Sequence, residues 1–218
     1  MEYILIDNQS PDFLTYNQGG KVVIFDQTYA HTDKIRTVTV QNNTHLEWYG
    51  MMTGGRHYTL HFITESGESI IRMLLVAESN QHIQSTVHAT LSASDTLTNL
   101  HILSFAWENG IITLNGIVEI VSGVQKVSGH ILEENIFLGS RWHILWIPSL
   151  LVHSSDVQAW HAARIERISD EKLYYLRSHG IPRDDATIMM IRSSISMLFS
   201  WLDAKQQENA LTQILNTL

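Results

Sequence analysis

A chain of 218 residues with 44% hydrophobic content is long enough for one sizeable core, as a single domain or a domain with an appendage. Fourteen Lys and Arg stand against 22 Asp and Glu, giving a net charge of -8 without any basic run, which argues against nucleic acid as a partner. Zero cysteines exclude disulfides, thiolate metal sites, cysteine nucleophiles and a cluster held by this chain's own thiolates.

The opening "MEYILIDNQSPDF" has an acid at position 2 and only a short apolar run, unlike a signal peptide, and no stretch approaches the ~18 apolar residues of a membrane span. A cytoplasmic protein with no membrane contact is expected. From Lys21 to about Ile165 the chain consists of short apolar or alternating runs rich in Val, Ile, Thr and aromatics, such as "KVVIF", "RTVTV", "YTLHFI", "STVHATL" and "GIITLNGIVEIV". These are strand signals. Asn, Gly and Ser punctuate them at Gly19-Gly20, Asn42-Asn43, Gly54-Gly55 and Asn109-Gly110. The spacing fits a β-sandwich or a β-solenoid, and no strict repeat chooses between them.

After Ile165 the pattern turns helical. Ser169 is placed to cap a short helix, Asp170 and Glu171 put negative charge in its first turn, and Gly180 follows His179 where a left-handed end would sit. Ile188, Ile191, Ile195, Leu198 and Leu202 then recur at three- and four-residue steps, with Pro182 as a first-turn residue and Asp184 and Asp185 near the positive end of the dipole. A last stripe of Leu211, Ile214, Leu215 and Leu218 predicts one more short helix. The expected organisation is a β-domain over 1–165 and a helical segment over 166–218.

Twelve histidines invite a search for metal sites. His57 with His61, and His82 with His88, share strand faces by the period-two rule, but neither pair has a carboxylate at a standard ligand spacing and there is no HExxH motif. They read as ordinary strand histidines. The chain also lacks a GxxxxGK[ST] phosphate loop, a GxSxG elbow and any thiol, so no catalytic centre is expected. A metal-dependent or ligand-binding all-β protein is the remote alternative.

The most specific wording is "DVQAWHAARIERISDEKLYYLRSHGIPRDDA". It resembles the SufB/SufD family of the SUF iron-sulfur cluster assembly system, closest to SufD. That family runs Asp-Val-Lys-Cys-Ser-His-Gly-Ala, then an acidic turn, then Phe-Tyr-Leu-Arg-Ser-Arg-Gly-Ile. Asp156, Val157, His161 and Ala163 match the first part, and Tyr175, Leu176, Arg177, Ser178, Gly180 and Ile181 the second. Upstream, Gln125, Lys126, Asn135, Leu138 and Pro148 stay in register with it. Overall the likeness runs from about Arg36 to Trp201.

The resemblance implies a right-handed parallel β-helix with a C-terminal helical segment, working as a non-catalytic scaffold subunit. It implies His161 as a ligand for iron or a cluster shared with a partner, the chain alone binding no cofactor. Ala159, Trp160 and Ala162 stand where the family has Cys, Ser and Gly. The implied partners are a SufC-type ABC ATPase, docking on Tyr174, Tyr175, Arg177, Gly180, Ile181, Asp184 and Asp185, and a SufB-type scaffold or a second copy of this chain. Gln125, Lys126, Asn135, Pro148 and Asp156 are structural by the same likeness. The family's large N-terminal region has no counterpart in the sequence, which suggests a minimal version. A structural adaptor that has lost cluster chemistry is the nearer alternative.

Overall fold

Strands that alternate buried and exposed residues bury one face each, and a chain of such strands must stack them around a common interior. The computed structural model describes residues 2–28, 33–53, 56–138 and 143–200, with Ala204, Glu208 and Thr212 as single helical positions beyond them. The strands form two sheets. One holds β1 (Glu2–Ile6), β3 (Gly20–Asp26), β5 (Thr44–Thr53), β7 (Gly67–Ala77), β9 (Leu97–Ala106), β11 (Gln125–Phe137) and β14 (Asp156–Arg167), in that order. The other holds β2 (Phe13–Tyr16), β4 (Lys34–Val40), β6 (Arg56–Thr64), β8 (His82–Leu91), β10 (Ile111–Ile120) and β12 (His143–Trp146), with β13 (Ser149–Val152) also pairing β10.

Strand pairing among the described residues is parallel, as in a β-helix: the chain crosses from sheet to sheet and returns one coil higher. Val22 pairs with Leu46, 24 residues on, whereas Thr98 pairs with Gly129, 31 residues on. The coils lengthen along the chain, which is why the sequence carries no strict repeat. Of the expected turns, Asn42, Asn43 and Asn109 adopt φ of 55°, 53° and 58°, a region that asparagine tolerates better than branched residues, whereas Gly54-Gly55 lies outside the described residues.

Most of the interior is apolar. Ile24, Leu46, Trp48, Ile71, Leu100 and Ile131 from one sheet meet Val38, Leu60, Phe62, Val87, Leu114 and Val118 from the other. Trp48 and Phe62 pack edge to face with centroids 5.2 Å apart. Each such fully buried side chain contributes roughly 1.5–3 kcal/mol. Near the N-terminal end the core turns polar around fully buried Arg36, which donates to Asp26 Oδ1 at 3.2 Å, Thr28 Oγ1 at 3.0 Å and Tyr58 Oη at 2.8 Å. The same guanidinium donates to the backbone oxygens of Asp7, Ser10 and Pro11, so it pins the β1–β2 connection. Nothing in the sequence pattern announced this network.

Two helices follow β14, α1 (Asp170–Ser178) and α2 (Arg183–Leu198). The predicted caps form: Ser169 accepts from the Lys172 backbone N–H, and Gly180, at φ 83°, donates to Arg177 O at 3.0 Å. α2 lays Ile191, Ile195 and Leu198, followed by Phe199, on Val23, Tyr49, Leu74, Val76, Leu103 and Phe105, on the outer face of the first sheet. The helical segment therefore completes a second core. Leu202, Leu211, Ile214, Leu215 and Leu218, expected to extend the helical stripes, lie outside the described residues. Among those described, no helix is long and apolar enough to cross a membrane.

Candidate functional site

β14 is the last strand of its sheet and pairs only with β11, so one side of its backbone is left unpaired among the described residues. A free parallel edge of 12 residues is a template for another strand. Its alternation places Val157, Ala159 and His161 over Val127, Gly129 and Ile131, on the inward face, and Trp160 over His130, on the outward face. Ile131 is part of the apolar interior, so His161 stands at the open end of the solenoid, directly above the last turn of the core. It is exposed.

On the outward face Trp160 stacks on His130, with centroids 4.9 Å apart and planes 17° from parallel. His130 Nδ1 lies 2.7 Å from Asn99 Oδ1, an oxygen that only accepts, so the proton sits on Nδ1. Burial pulls the His130 pKa down and keeps the ring neutral. Glu134 accepts from His101 Nε2 at 2.8 Å and from Arg164 at 3.3 Å, tying β9, β11 and β14 together across that face.

Inside, one coil below His161, lies a group that sequence reasoning missed. Glu133 is fully buried, with its carboxylate against the Gly116 backbone and no side-chain hydrogen-bond partner. Burial pushes its pKa up to about 8, and the nearby Gly116 backbone draws it only partly back. Its Cα partner on β14 is Ala163. Next along the same face, Asn135 Oδ1 accepts from Ser104 Oγ, while Asn135 Nδ2 has no partner. The alternation Val127, Gly129, Ile131, Glu133, Asn135, Phe137 could have revealed an inward carboxylate, since every second residue of β11 faces the core.

The remaining predicted site residues fall into two places. Tyr174 and Tyr175 are exposed, and Tyr175 packs on His179 at 4.5 Å. Arg177, Gly180, Asp184 and Asp185 are also exposed and Ile181 is half-buried, so α1 and the start of α2 present one polar and aromatic surface. Exposed Met189 and Met197 add apolar area on α2. Gln125 pairs with Asp156 at the start of the last coil, and Lys126, at φ 53°, is the bulge where that register shifts. Pro148 separates β12 from β13, and Asn135 is buried.

The histidine pairs behave as strand residues with local partners. His82 Nε2 meets Thr113 Oγ1 at 3.0 Å, His57 lies 3.5 Å from Thr59 Oγ1, and His61 packs beside His88. His88 Nε2 lies 3.0 Å from Glu119 Oε2, a carboxylate 31 residues away that the coil stacking brings alongside. Among the described residues no group of three or more His, Asp or Glu side chains converges in a way that could hold a metal ion.

Comparison with known proteins agrees with this architecture. Residues 19–194 match the family described as SUF system FeS cluster assembly, SufBD core domain. The chain is 30% identical over 108 residues to the iron-sulfur cluster assembly protein SufD of Escherichia coli, covering 50% of this chain and 25% of that protein. It is 24% identical over 151 residues to an iron-sulfur cluster assembly SufBD family protein of Archaeoglobus fulgidus, covering 69% and 40%. To SufB of Bacillus subtilis it is 23% identical over 165 residues, covering 73% and 35%. It thus spans less than half the length of each of these relatives. With the family match covering most of two stacked parallel sheets and reaching into α2, the chain belongs to the SufB/SufD family, on its SufD side at modest identity.

Proposed function

We propose that this chain is a non-catalytic, SufD-like cytoplasmic subunit of an iron-sulfur cluster assembly scaffold. Its unpaired β14 edge would join a SufB-type scaffold that supplies thiolates, or a second copy of this chain, and α1 with α2 would dock a SufC-type ABC ATPase. The observation that carries the reading is the position of His161, a free imidazole at the open end of the solenoid on that unpaired edge strand. Iron accepts neutral imidazole, and the edge brings any strand-pairing partner beside it. With no cysteine in the chain, sulfur ligands for a cluster have to come from the partner.

The test is co-expression with a SufB-type scaffold and a SufC-type ATPase, followed by cluster reconstitution. Because α2 is packed on the sheet, surface substitutions test ATPase docking better than removal of the segment. Tyr174→Ala with Tyr175→Ala and Met189→Asp should release the ATPase and leave the fold intact. His161→Ala should lower cluster yield without loosening the complex. Equal yield from wild type and His161→Ala would make the chain a structural adaptor, a role its lack of cysteine also suits. Failure to bind either partner would overturn the assignment.

A further inference from the structure

We infer that the hollow between the solenoid and its helices is a binding site for a small amphipathic anion, one with a carboxylate or phosphate head on an apolar body. The cavity measures about 330 Å³, within the size range of small-molecule sites. It shares no residue with the His161 site, so failure of one leaves the other standing.

Three coils and both helices build its walls. In the sheet, Leu103, Glu134 and Arg164 form one row across β9, β11 and β14, and Ile136 with its Cα partner Glu166 stands two residues further along the same face. Ile191, Ser194 and Met197 line it from α2, and Lys172 from the start of α1. Buried Leu103 and Ile191 and half-buried Ile136 belong to the second core, so the floor is apolar and fixed by packing. Met197 is 65% exposed at this hollow, and its unbranched thioether can follow the outline of a ligand.

The charges select the sign of that ligand. Arg164 donates to Glu134 at 3.3 Å and to Glu166, and Glu134 also accepts from His101 Nε2. Both carboxylates in the wall are therefore engaged. Arg167 and Lys172 also line the hollow, and among the described residues neither charged group has a hydrogen-bond or ion-pair partner. Three cations thus stand against two carboxylates here, in a chain whose net charge is -8. An anionic head meets the two free cations, and the guanidinium fork of Arg167 suits a group with two or more oxygens. A bare phosphate would leave the apolar floor wet, and a neutral lipid would leave the cations unpaired. Head and body are both required. Because the walls come from β14 as well as α2, a bound ligand ties the helices to the solenoid and stabilises the fold by mass action.

The test is calorimetric titration of the full chain with octanoate and with octyl phosphate. Octanol and inorganic phosphate serve as body-only and head-only probes, and melting curves check that each variant is folded. One of the two amphiphiles should bind wild type at a single site, raise its melting temperature, and bind about tenfold or more tighter than either part alone. Preference for octyl phosphate would identify the ligand as a phosphate ester, and preference for octanoate as a carboxylic acid. Arg167→Gln combined with Lys172→Gln should weaken the preferred amphiphile by about tenfold or more and leave octanol unchanged. Ser194→Leu, which fills the hollow from α2, should block amphiphile and octanol alike. Equal binding of amphiphile and octanol by wild type would overturn the anion site, as would amphiphile binding that survives both variants. Absence of binding by wild type at millimolar ligand would also overturn it.

Discussion

Trp160 lies flat on His130, one strand inward from the edge of the sheet, with ring centroids 4.9 Å apart. That contact fixes which side of β14 faces out, and period-two alternation then turns His161 inward. A one-residue slip of β14 would move His161 to the outer face and Trp160 over the open core. The stack is thus a register lock for the strand that carries the candidate ligand.

Aromatic pairs of this geometry contribute ~0.5–1.5 kcal/mol beyond the area they bury. Trp160→Ala should therefore lower unfolding free energy by about 1–2 kcal/mol in urea titrations, while far-ultraviolet dichroism stays β-rich. A double-mutant cycle with His130→Ala should return a coupling energy inside the quoted range. Strict additivity of the two substitutions would mean that the stack does not hold the strand.

At the other end of the solenoid, Arg36 and Asp26 form a buried ion pair with 0% and 1% of their side chains exposed. Removing one member leaves a charge without its partner in the core, a change that typically costs about 3–5 kcal/mol. Arg36→Met should be that damaging, and also free the backbone oxygens of Asp7, Ser10 and Pro11. Tyr58→Phe, which removes a hydroxyl bonded to both Asp26 and Arg36, should cost about 1–3 kcal/mol. A mild Arg36→Met phenotype would show that the network is dispensable for closing the first coils.

The contact of Glu133 with Gly116 gives a sharper steric prediction. Gly116→Ala drives a methyl group onto the Glu133 carboxyl, and to a lesser degree onto Ile131 Cδ1, and should destabilise the protein by about 1–3 kcal/mol. In Gly116→Ala with Glu133→Ala the carboxyl is gone, and much of the loss from the glycine substitution should be recovered. A Gly116→Ala penalty unchanged in the Glu133→Ala background would place the strain elsewhere.

Sequence reading reached the parts of this fold that depend on local chemistry. Ser169 and Gly180 work as caps because their side chain and backbone act within one turn, and the Asn42-Asn43 and Asn109-Gly110 turns are equally local. The solenoid itself came from the likeness around His161, since coils stepping by 20 to 32 residues leave no fixed period to detect. The Arg36 network and the His88–Glu119 contact stayed hidden because their partners are strangers in sequence, joined only by stacking. Glu133 stayed hidden for another reason: within "HILEENIF" it reads as one of two adjacent acids, and only the strand's alternation separates it from half-exposed Glu134.

The same buried carboxyl sets a pH dependence whose sign is fixed. In the fold the Glu133 pKa is raised by burial to about 8, from an ordinary value of 4.5. Below the ordinary value both folded and unfolded chains carry the proton, and the fold bears no penalty. As pH rises the unfolded chain sheds its proton while the folded chain keeps it, so stability falls steadily until about pH 8. The total loss is at most ~5 kcal/mol, at about 1.4 kcal/mol per pKa unit. His61, His101 and His130 act in the opposite sense, because burial lowers their pKa values and they withdraw stability as pH falls below the ordinary histidine range. Wild type alone mixes these effects. Glu133→Gln leaves the histidines untouched, so the difference between the two stability curves, measured in chelator-treated buffer from pH 5 to 8.5, isolates the carboxyl. Glu133→Gln should gain on wild type as pH rises, by several kcal/mol at the alkaline end, whereas parallel curves would mean that the Glu133 carboxyl is solvated or paired in solution.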